Sequence, residues 1–516
     1  NSFLNKGLTL MINKKILNLI GFILLFLGIS MLFSACWSYY YSENDLYPIL
    51  YSFLITTFSG VLLILFTSFT VNAHFPYLSY KNKQKFELSS RDGYTLVTLS
   101  WFLMAIFSAL PFYFYSIFLV DTHPFNSYIN CFFESISGLT TTGATILNGS
   151  QIDTAPKGLM FWRSFTQFIG GIGIIVFSIA ILPLLGFGGV QLFRAEVAGP
   201  VADKLTPRVK QTAKLLWGIY IGLIVAETII LMIEGVSFYD SITHSFTTIA
   251  TSGFSTHSES IGYFPPIVQY TIIFFMILAA TSFSLHFLAI RKGQVEYFKD
   301  TEFKVYIGLI LLFLVIFFSD NYITNYFRNG SFEHGFRDSL FTSVSLLTTT
   351  GFTTVDYETW GSTSKTMTFI LLFIGGCAGS TTGGIKIIRT ILVFKFLGRE
   401  LKKLIHPKGI FHIKMGDKRV SEEVVSNTVG FYLFYIFIFV LSAILFAFLG
   451  SDFITSLSVS ASAIGNIGPG LGEIGPSSNW NNLPDIGKLL AAFLMLLGRL
   501  EIFTVILLFS GSFIKK

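Results

Sequence analysis

Four stretches of this chain fall into one register. With Gly143, Gly253, Gly351 and Gly468 aligned, each stretch has a serine eight residues earlier: Ser135, Ser245, Ser343 and Ser460. A hydroxyl stands six earlier (Ser137, Thr247, Ser345, Ser462) and an aliphatic four earlier (Leu139, Ile249, Leu347, Ile464). Eleven earlier each is apolar: Phe132, Ile242, Leu340 and Leu457. The glycines are 110, 98 and 117 residues apart. Matches of this kind four times over mark an internal repeat. Each apolar, weakly helical part is only about 13 residues, too short to cross a bilayer at ~1.5 Å per residue. Each segment therefore dips into the membrane and returns.

A membrane is implied because the chain is 52% hydrophobic and 12% charged, with 58 Phe and a mean hydropathy of +0.66. A soluble protein of 516 residues would need far more charge to cover its surface. Apolar runs predict ten spans, near 16–40, 46–72, 94–120, 159–186, 213–235, 265–290, 304–319, 364–397, 426–450 and 486–513. The fold class is an all-α polytopic membrane protein. Four span, pore-loop, span repeats surround one central pore, with two extra helices in front. The expected divisions are a tail (1–15), the extra helices and their loop (16–93), and repeats at 94–190, 191–303, 304–424 and 425–516. Cys36, Cys131 and Cys377 lie far apart and imply neither a disulfide framework nor a metal cluster. Nothing resembles a cleavable signal peptide, and Met11 before INKK reads as a plausible start.

Lys and Arg set the orientation. The N-terminal tail, alternate connections and the C-terminus hold 28 of the 35, including Lys81, Lys83, Lys85, Arg194, Lys204, Arg208 and ten between Lys386 and Arg419. The positive-inside rule places all of them, termini included, in the cytoplasm. The opposite connections carry Asp121, Asp153, Asp240, Glu259, Asp320, Glu333, Asp356, Glu358, Asp452 and Glu473. An acidic outer face would concentrate cations; outer loops also simply need polar residues.

Non-helical backbone at membrane depth is tolerated only where it is buried in protein or lines a wet cavity. The loops TTTGA (140–144), ATSGF (250–254), TTTGF (348–352) and GNIGP (465–469) can close a ring. A ring of backbone carbonyls is a neutral ligand set that replaces the hydration shell of a monovalent cation. The candidate ligands are Thr141, Thr142, Gly143, Thr251, Ser252, Gly253, Thr349, Thr350, Gly351, Asn466, Ile467 and Gly468. No Asp or Glu stands at these positions, which argues against a divalent-selective ring. Each short helix ends at the ring, so its negative dipole end faces the cation. Glu134 departs from this neutrality. It either stabilises cations or hydrogen-bonds behind the ring.

A second feature is GGCAGSTTGG, with Gly375, Gly376, Gly379, Ser380, Thr381, Thr382, Gly383 and Gly384. Each glycine costs about 1 kcal/mol in a helix interior, so this one span should break near its middle. A loop there could occlude the pore; the plainer reading is close helix packing through small residues. Arg499, near the middle of the last span, needs a cavity or a partner. Carbonyls of 375–384 would satisfy its donors. The alternative is an ion pair with Glu501 or an acid from another helix. Lys386 fits either a gate element or an inner-face anchor.

These motifs together resemble the Trk/Ktr/HKT superfamily of potassium transporters, closest to its Trk H-type membrane subunits. ESISGLTTTGAT, HSFTTIATSGFSTH, SLLTTTGFTT and SAIGNIGPGLG look like that type's four filter loops. VAGPVADKLTPRVKQTAKLLWGIY looks like its signature cytoplasmic loop, and LGRLEIFT like its last-helix signature. The two extra N-terminal spans fit the H-type rather than the shorter Ktr B-type. The resemblance covers nearly the whole chain and implies potassium selectivity. A serine at the first glycine is the family's usual mark of sodium permeation, and here that residue is Gly143. Ser252 and Ile467 depart from the threonine at the equivalent position. The resemblance further implies potassium as the transported ion, a bacterial inner-membrane location, a homodimer with one pore per chain, and a cytosolic nucleotide-binding Trk A-type ring. Basic loops also meet anionic membrane lipid. No phosphate-binding glycine loop in a Rossmann context occurs, so any nucleotide should bind the partner rather than this chain. No organic cofactor and no nucleic-acid partner are expected.

Three other classes fit the sequence less well. An intramembrane hydrolase using Ser380 and His286 would need an oriented base and leaves the fourfold repeat unexplained. A proton- or sodium-coupled symporter would need a buried carboxylate relay, which the sequence does not display. An accessory subunit without conduction would have no use for four intact loops.

Overall fold

The computed structural model describes residues 14–70, 90–119, 123–173, 209–324, 331–416 and 418–509. Met11, Lys81, Lys83, Lys85, Asp121, Arg194, Lys204, Arg208, the first half of the signature loop and the second half of span 159–186 lie outside these residues.

Two apolar helices, α1 (Lys14–Tyr41) and α2 (Leu46–Thr70), form the N-terminal hairpin. Gly60 lies so close to the Gly21 carbonyl that a Cβ would overlap it. Small residues let helix backbones approach where lipid supplies no hydrophobic drive. The first repeat follows. Its first span is α3 (Ser90–Ser108) continued by α4 (Leu110–Leu119), its half-helix is α5 (Tyr128–Leu139), and its returning helix is α6 (Lys157–Ile172). Repeat 2 holds α7 (Val209–Ile233), half-helix α8 (Phe238–Ile249), and a returning pair α9 (Pro266–Ala279) and α10 (Phe283–Lys292). Repeat 3 holds α11 (Thr301–Ile323), half-helix α12 (Phe332–Leu347), and the pair α13 (Ser362–Leu371) and α14 (Ile387–Ile405). Repeat 4 holds α15 (Glu422–Phe448), half-helix α16 (Phe453–Gly465), and the pair α17 (Asp485–Arg499) and α18 (Phe503–Phe509). A two-residue hairpin, β1 (Lys414–Met415) with β2 (Lys418–Arg419), is the one strand pair among the described residues. The chain is thus an all-α polytopic membrane protein of four repeats around one axis, with two helices in front.

The expectation of ten unbroken spans with one interruption needs correction. Among the described residues, six helical runs are long and apolar enough to cross a membrane: α1, α2, α3 with α4, α7, α11 and α15. The returning helix stops or breaks in every repeat. In repeat 1, α6 ends at Gly173, which has φ +76°. In repeat 2, α9 and α10 meet at 96°. In repeat 3, residues 372–386 separate α13 from α14. In repeat 4, Leu500–Ile502 separate α17 from α18, with Glu501 and Ile502 both at φ +54°. Hydropathy reads apolar composition, which these segments share, and is blind to the continuity of the backbone.

The repeated residues have assignable tasks. Ser135 donates to the Ala105 carbonyl (2.8 Å), Ser343 to Ile310 (3.1 Å) and Ser460 to Phe439 (2.8 Å). Each bond ties a half-helix to the first span of its own repeat. Ser245 instead bonds Ser241 within its own helix. Ser237, Ser331 and Asp452 cap the starts of α8, α12 and α16, satisfying amides that the first turn leaves open. Hydrogen bonding, chiefly from Thr455, holds the Asp452 carboxyl below its ordinary range. The N-terminal hairpin serves α6 in the same way, because Asp45 accepts from the Leu159 amide at 2.7 Å.

Candidate functional site

Each half-helix ends in the same turn. In repeat 1 the Thr141 amide bonds the Gly138 carbonyl (3.0 Å), and the Thr142 amide bonds Ser137 (2.9 Å). The pairs Thr251 to Thr248 with Ser252 to Thr247, Thr349 to Leu346 with Thr350 to Ser345, and Asn466 to Ala463 with Ile467 to Ser462 repeat it. This is the Schellman closure, which normally places glycine in its left-handed position. Here that position is Thr141 (φ +55°), Thr251 (+53°), Thr349 (+53°) and Asn466 (+52°). A left-handed β-branched residue costs roughly 1–2 kcal/mol, whereas asparagine visits the region more readily. The next residue has negative φ, and the repeat glycine is left-handed again: Gly143 (+77°), Gly253 (+79°), Gly351 (+77°) and Gly468 (+97°). Alternating handedness turns successive amides to one side and successive carbonyls to the other. Each loop therefore presents a short ladder of carbonyls.

The four ladders close on one another. A Cβ on Gly143 would overlap the Ser252 carbonyl, one on Gly253 the Thr350 carbonyl, one on Gly351 the Ile467 carbonyl, and one on Gly468 the Thr142 carbonyl. The order runs 1, 2, 3, 4 and back to 1, with no room for a side chain at any join. All twelve ring residues named from the sequence thus lie in one ring. A cavity on its upper side touches all four glycines, together with Arg163, His257 and Trp480. Behind the ring, Arg163 donates to Glu134 (2.7 Å) and to the Ser255 carbonyl (3.0 Å). Glu134 also accepts from Thr145 (2.8 Å) and the Ile146 amide (3.0 Å). Of the two readings of Glu134, the geometry is that of a buried brace behind loop 1.

Below the ring lies a second cavity of about 140 Å³, lined by Gly379 to Gly384, Lys386, Phe431, Arg499 and Glu501 among others. Its volume corresponds to about five waters at liquid density. The loop 372–386 folds across it. Its ends are joined by Gly375 to Ile385 (2.9 Å) and Ile385 to Phe373 (3.1 Å) backbone bonds. Its outer turn pairs with the break of repeat 2, through Cys377 to Ala280 (2.9 Å) and Phe283 to Gly379 (3.0 Å). Its tip touches the ring directly. Thr251 donates to the Thr381 hydroxyl (3.2 Å), and the Gly383 amide donates to the Thr349 hydroxyl (2.8 Å). Arg499 holds the same tip, donating to the Thr381 carbonyl (2.7 Å) and to Gly170 (2.5 Å) and Gly171 (3.1 Å) at the end of α6. Glu501 is not its partner; that carboxylate pairs with Arg389 at 2.5 Å. Lys386 is buried and donates to the Thr382 carbonyl and hydroxyl. Gly375, Gly376, Gly379, Ser380, Thr381, Thr382, Gly383, Gly384 and Arg499 therefore meet in one place.

A family model described as a cation transport protein, TrkH, matches residues 62–516. The chain belongs to the TrkH family. The Trk system potassium uptake protein TrkH of Vibrio parahaemolyticus is 38% identical over 506 residues, 97% of this chain and 99% of that one. TrkH of Escherichia coli K12 is 39% identical over 437 residues, 84% of this chain and 88% of its own. TrkG of the same strain is 34% identical, over 97% and 98%. The crystal structure of the potassium transporter TrkH from Vibrio parahaemolyticus matches with a TM-score of 0.81 at 35% identity, over 97% of this chain and 99% of that one. This is a family of transport proteins, not of enzymes.

For a TrkH-family chain, three parts of the site escaped the sequence reading. The left-handed residue two before each glycine did carry a signal: Asn466 stands there in loop 4, and asparagine tolerates that region. The Arg163–Glu134 pair carried only the weak hint of two charges inside apolar segments. Gln167, buried in α6 and bonded to loop 2, carried none.

Proposed function

We propose that this chain conducts potassium into the cell, as the ion-conducting subunit of a Trk-type system in a bacterial inner membrane, with both termini cytoplasmic. The closed glycine–carbonyl ring carries this reading. Twelve backbone carbonyls, those of Thr141 to Gly143, Thr251 to Gly253, Thr349 to Gly351 and Asn466 to Gly468, act as the selectivity filter. The names of the relatives support potassium as the ion. Purified protein in liposomes, with potassium and sodium fluxes compared, is the test. Gly143→Ser should admit more sodium. An unchanged relative permeability in a folded variant removes the filter assignment at that position.

Loop 375–384 and Arg499 form one gate beneath the filter. The loop lies across the lower cavity, and the guanidinium binds it to the end of α6. Deleting the loop should raise basal potassium flux and weaken control by a cytosolic nucleotide-binding Trk A-type partner. Arg499→Ala should act in the same direction. The double variant should be less than additive, since both changes remove one barrier. Flux that falls on loop deletion, while the filter still binds potassium, would make the loop a support. A homodimer with one pore per protomer completes the assembly.

One observation favours a second reading, coupled symport. Glu227 of α7 is fully buried beside Thr248, and no basic side chain among the described residues pairs with it. A carboxylate inside a span is a candidate for ion or proton coupling. Flux driven by membrane potential alone, without proton or sodium gradients, separates the two readings. Glu227→Gln should leave it unchanged in a channel.

A further inference from the structure

The four ring loops share a backbone but not a brace. In loop 1 the hydroxyls of Thr140 and Thr142 bond each other at 2.8 Å, and in loop 3 those of Thr348 and Thr350 do so at 2.8 Å. In loop 2 the same positions are Ala250 and Ser252. Ala250 has no hydroxyl, and the Ser252 hydroxyl turns back to the Thr247 carbonyl at 3.2 Å.

The missing brace comes from a neighbouring repeat. Gln167 of α6 donates through Nε2 to the Ser252 carbonyl at 2.8 Å. Its Oε1 accepts from the Phe254 amide at 3.2 Å. One planar amide therefore spans Gly253 from outside the loop. Gln167 is fully buried, so water does not compete for these bonds. Among the described residues, no hydrogen bond reaches the corresponding carbonyls of Thr142, Thr350 and Ile467. Ser252 is thus the tethered member of the four carbonyls that meet the ring glycines.

We propose that Gln167 is a positioning residue that sets ion specificity, by fixing the direction of the Ser252 carbonyl. The inference rests on the ring being the selectivity filter. A donor on a carbonyl takes one of its two lone pairs and withdraws part of its negative charge. A carbonyl held from outside also resists moving inward. Sodium, the smaller ion, needs ligands that close in; potassium does not. The tether keeps loop 2 open at potassium's radius, a task that the internal hydroxyl pairs perform in loops 1 and 3.

The test is the ratio of sodium to potassium permeability, read from reversal potentials of reconstituted protein. Gln167→Met keeps the volume and flexibility of the side chain and removes both hydrogen bonds. Its expected effect is a rise in the ratio on the order of fivefold, the factor that one buried hydrogen bond commands. Gly143→Ser is measured in the same assay. A wild-type ratio in Gln167→Met beside a raised ratio in Gly143→Ser overturns the proposal and leaves the filter standing. A wild-type ratio in both overturns the filter and the proposal with it. Reduced flux at an unchanged ratio makes Gln167 a structural residue only and likewise overturns it. Should Gln167→Met not assemble, Gln167→Asn decides by the same outcomes, since it withdraws the amide by one methylene and cannot span residues 252 to 254.

Discussion

Loops 1 and 3 each carry a hydroxyl pair of their own, whereas loops 2 and 4 lack one and bond to side chains or carbonyls from other parts of the chain. Thr140 with Thr142, and Thr348 with Thr350, are braces internal to the loop. Loop 2 borrows Gln167. Loop 4, with Gly465 and Ile467 in the hydroxyl positions, borrows more. Asn466 donates to the Met495 carbonyl (2.8 Å) in α17 and to the Thr142 hydroxyl (3.0 Å) in loop 1. Trp480 donates to the Gly468 carbonyl at 3.2 Å. The backbone angles of the four loops still agree within a few degrees at the left-handed threonine or asparagine. A ring can therefore be fourfold in backbone without being fourfold in what supports it. What must repeat is the geometry of the carbonyls, and several side-chain arrangements satisfy it.

This contrast can be broken by mutation. The largest effect should come from Asn466→Val. It forces a β-branched residue into the left-handed region and leaves the Met495 carbonyl and Thr142 hydroxyl without their donor, a loss of roughly 3 kcal/mol in all. Thermal unfolding of the purified protein in potassium should fall clearly, and sodium permeability should rise. Thr348→Ala should cost about 1 kcal/mol, because one short, local hydroxyl pair is lost. If Thr348→Ala unfolds earlier than Asn466→Val, the internal brace matters more than the borrowed one and the comparison reverses. The smallest effect, within about 0.5 kcal/mol, should be Ala250→Ser, which offers loop 2 a hydroxyl where loops 1 and 3 have one. Its value lies in combination: added to Gln167→Met, it should bring the permeability ratio part of the way back. A ratio that does not move separates the role of the hydroxyl pair from that of the amide.

The sequence shows the ring because backbone demands leave few residue choices. At Gly143, Gly253, Gly351 and Gly468 a positive φ and a neighbouring carbonyl both exclude a side chain. That is why the register survives even in GNIGP, where the surrounding threonines do not. The break of repeat 3 was equally legible, since five glycines crowd ten residues. The break of repeat 4 was not. GRLEIFT contains good helix formers, and only tertiary structure stops α17. There the Ile502 amide closes onto Leu497 (2.8 Å), while the Arg499 side chain leaves its helix for carbonyls of α6 and loop 372–386. Contacts from distant parts of the chain override local propensity there. For the same reason Gln167 was invisible: its importance depends on what loop 2 lacks, which is known only once the two are adjacent.

The join between Gly468 and the Thr142 carbonyl has a consequence for how the molecule is made. The last quarter of the ring is encoded 324 residues after the first, as the Asn466 to Thr142 bond measures. Ribosomes add roughly 5–20 residues per second, so loop 1 waits on the order of 15–65 seconds for loop 4. Until then the Thr142 carbonyl lacks the Gly468 backbone that it packs against in the finished ring. Arg499, encoded later still, is what finally fastens the end of α6. The ring therefore cannot close until most of the chain has been made.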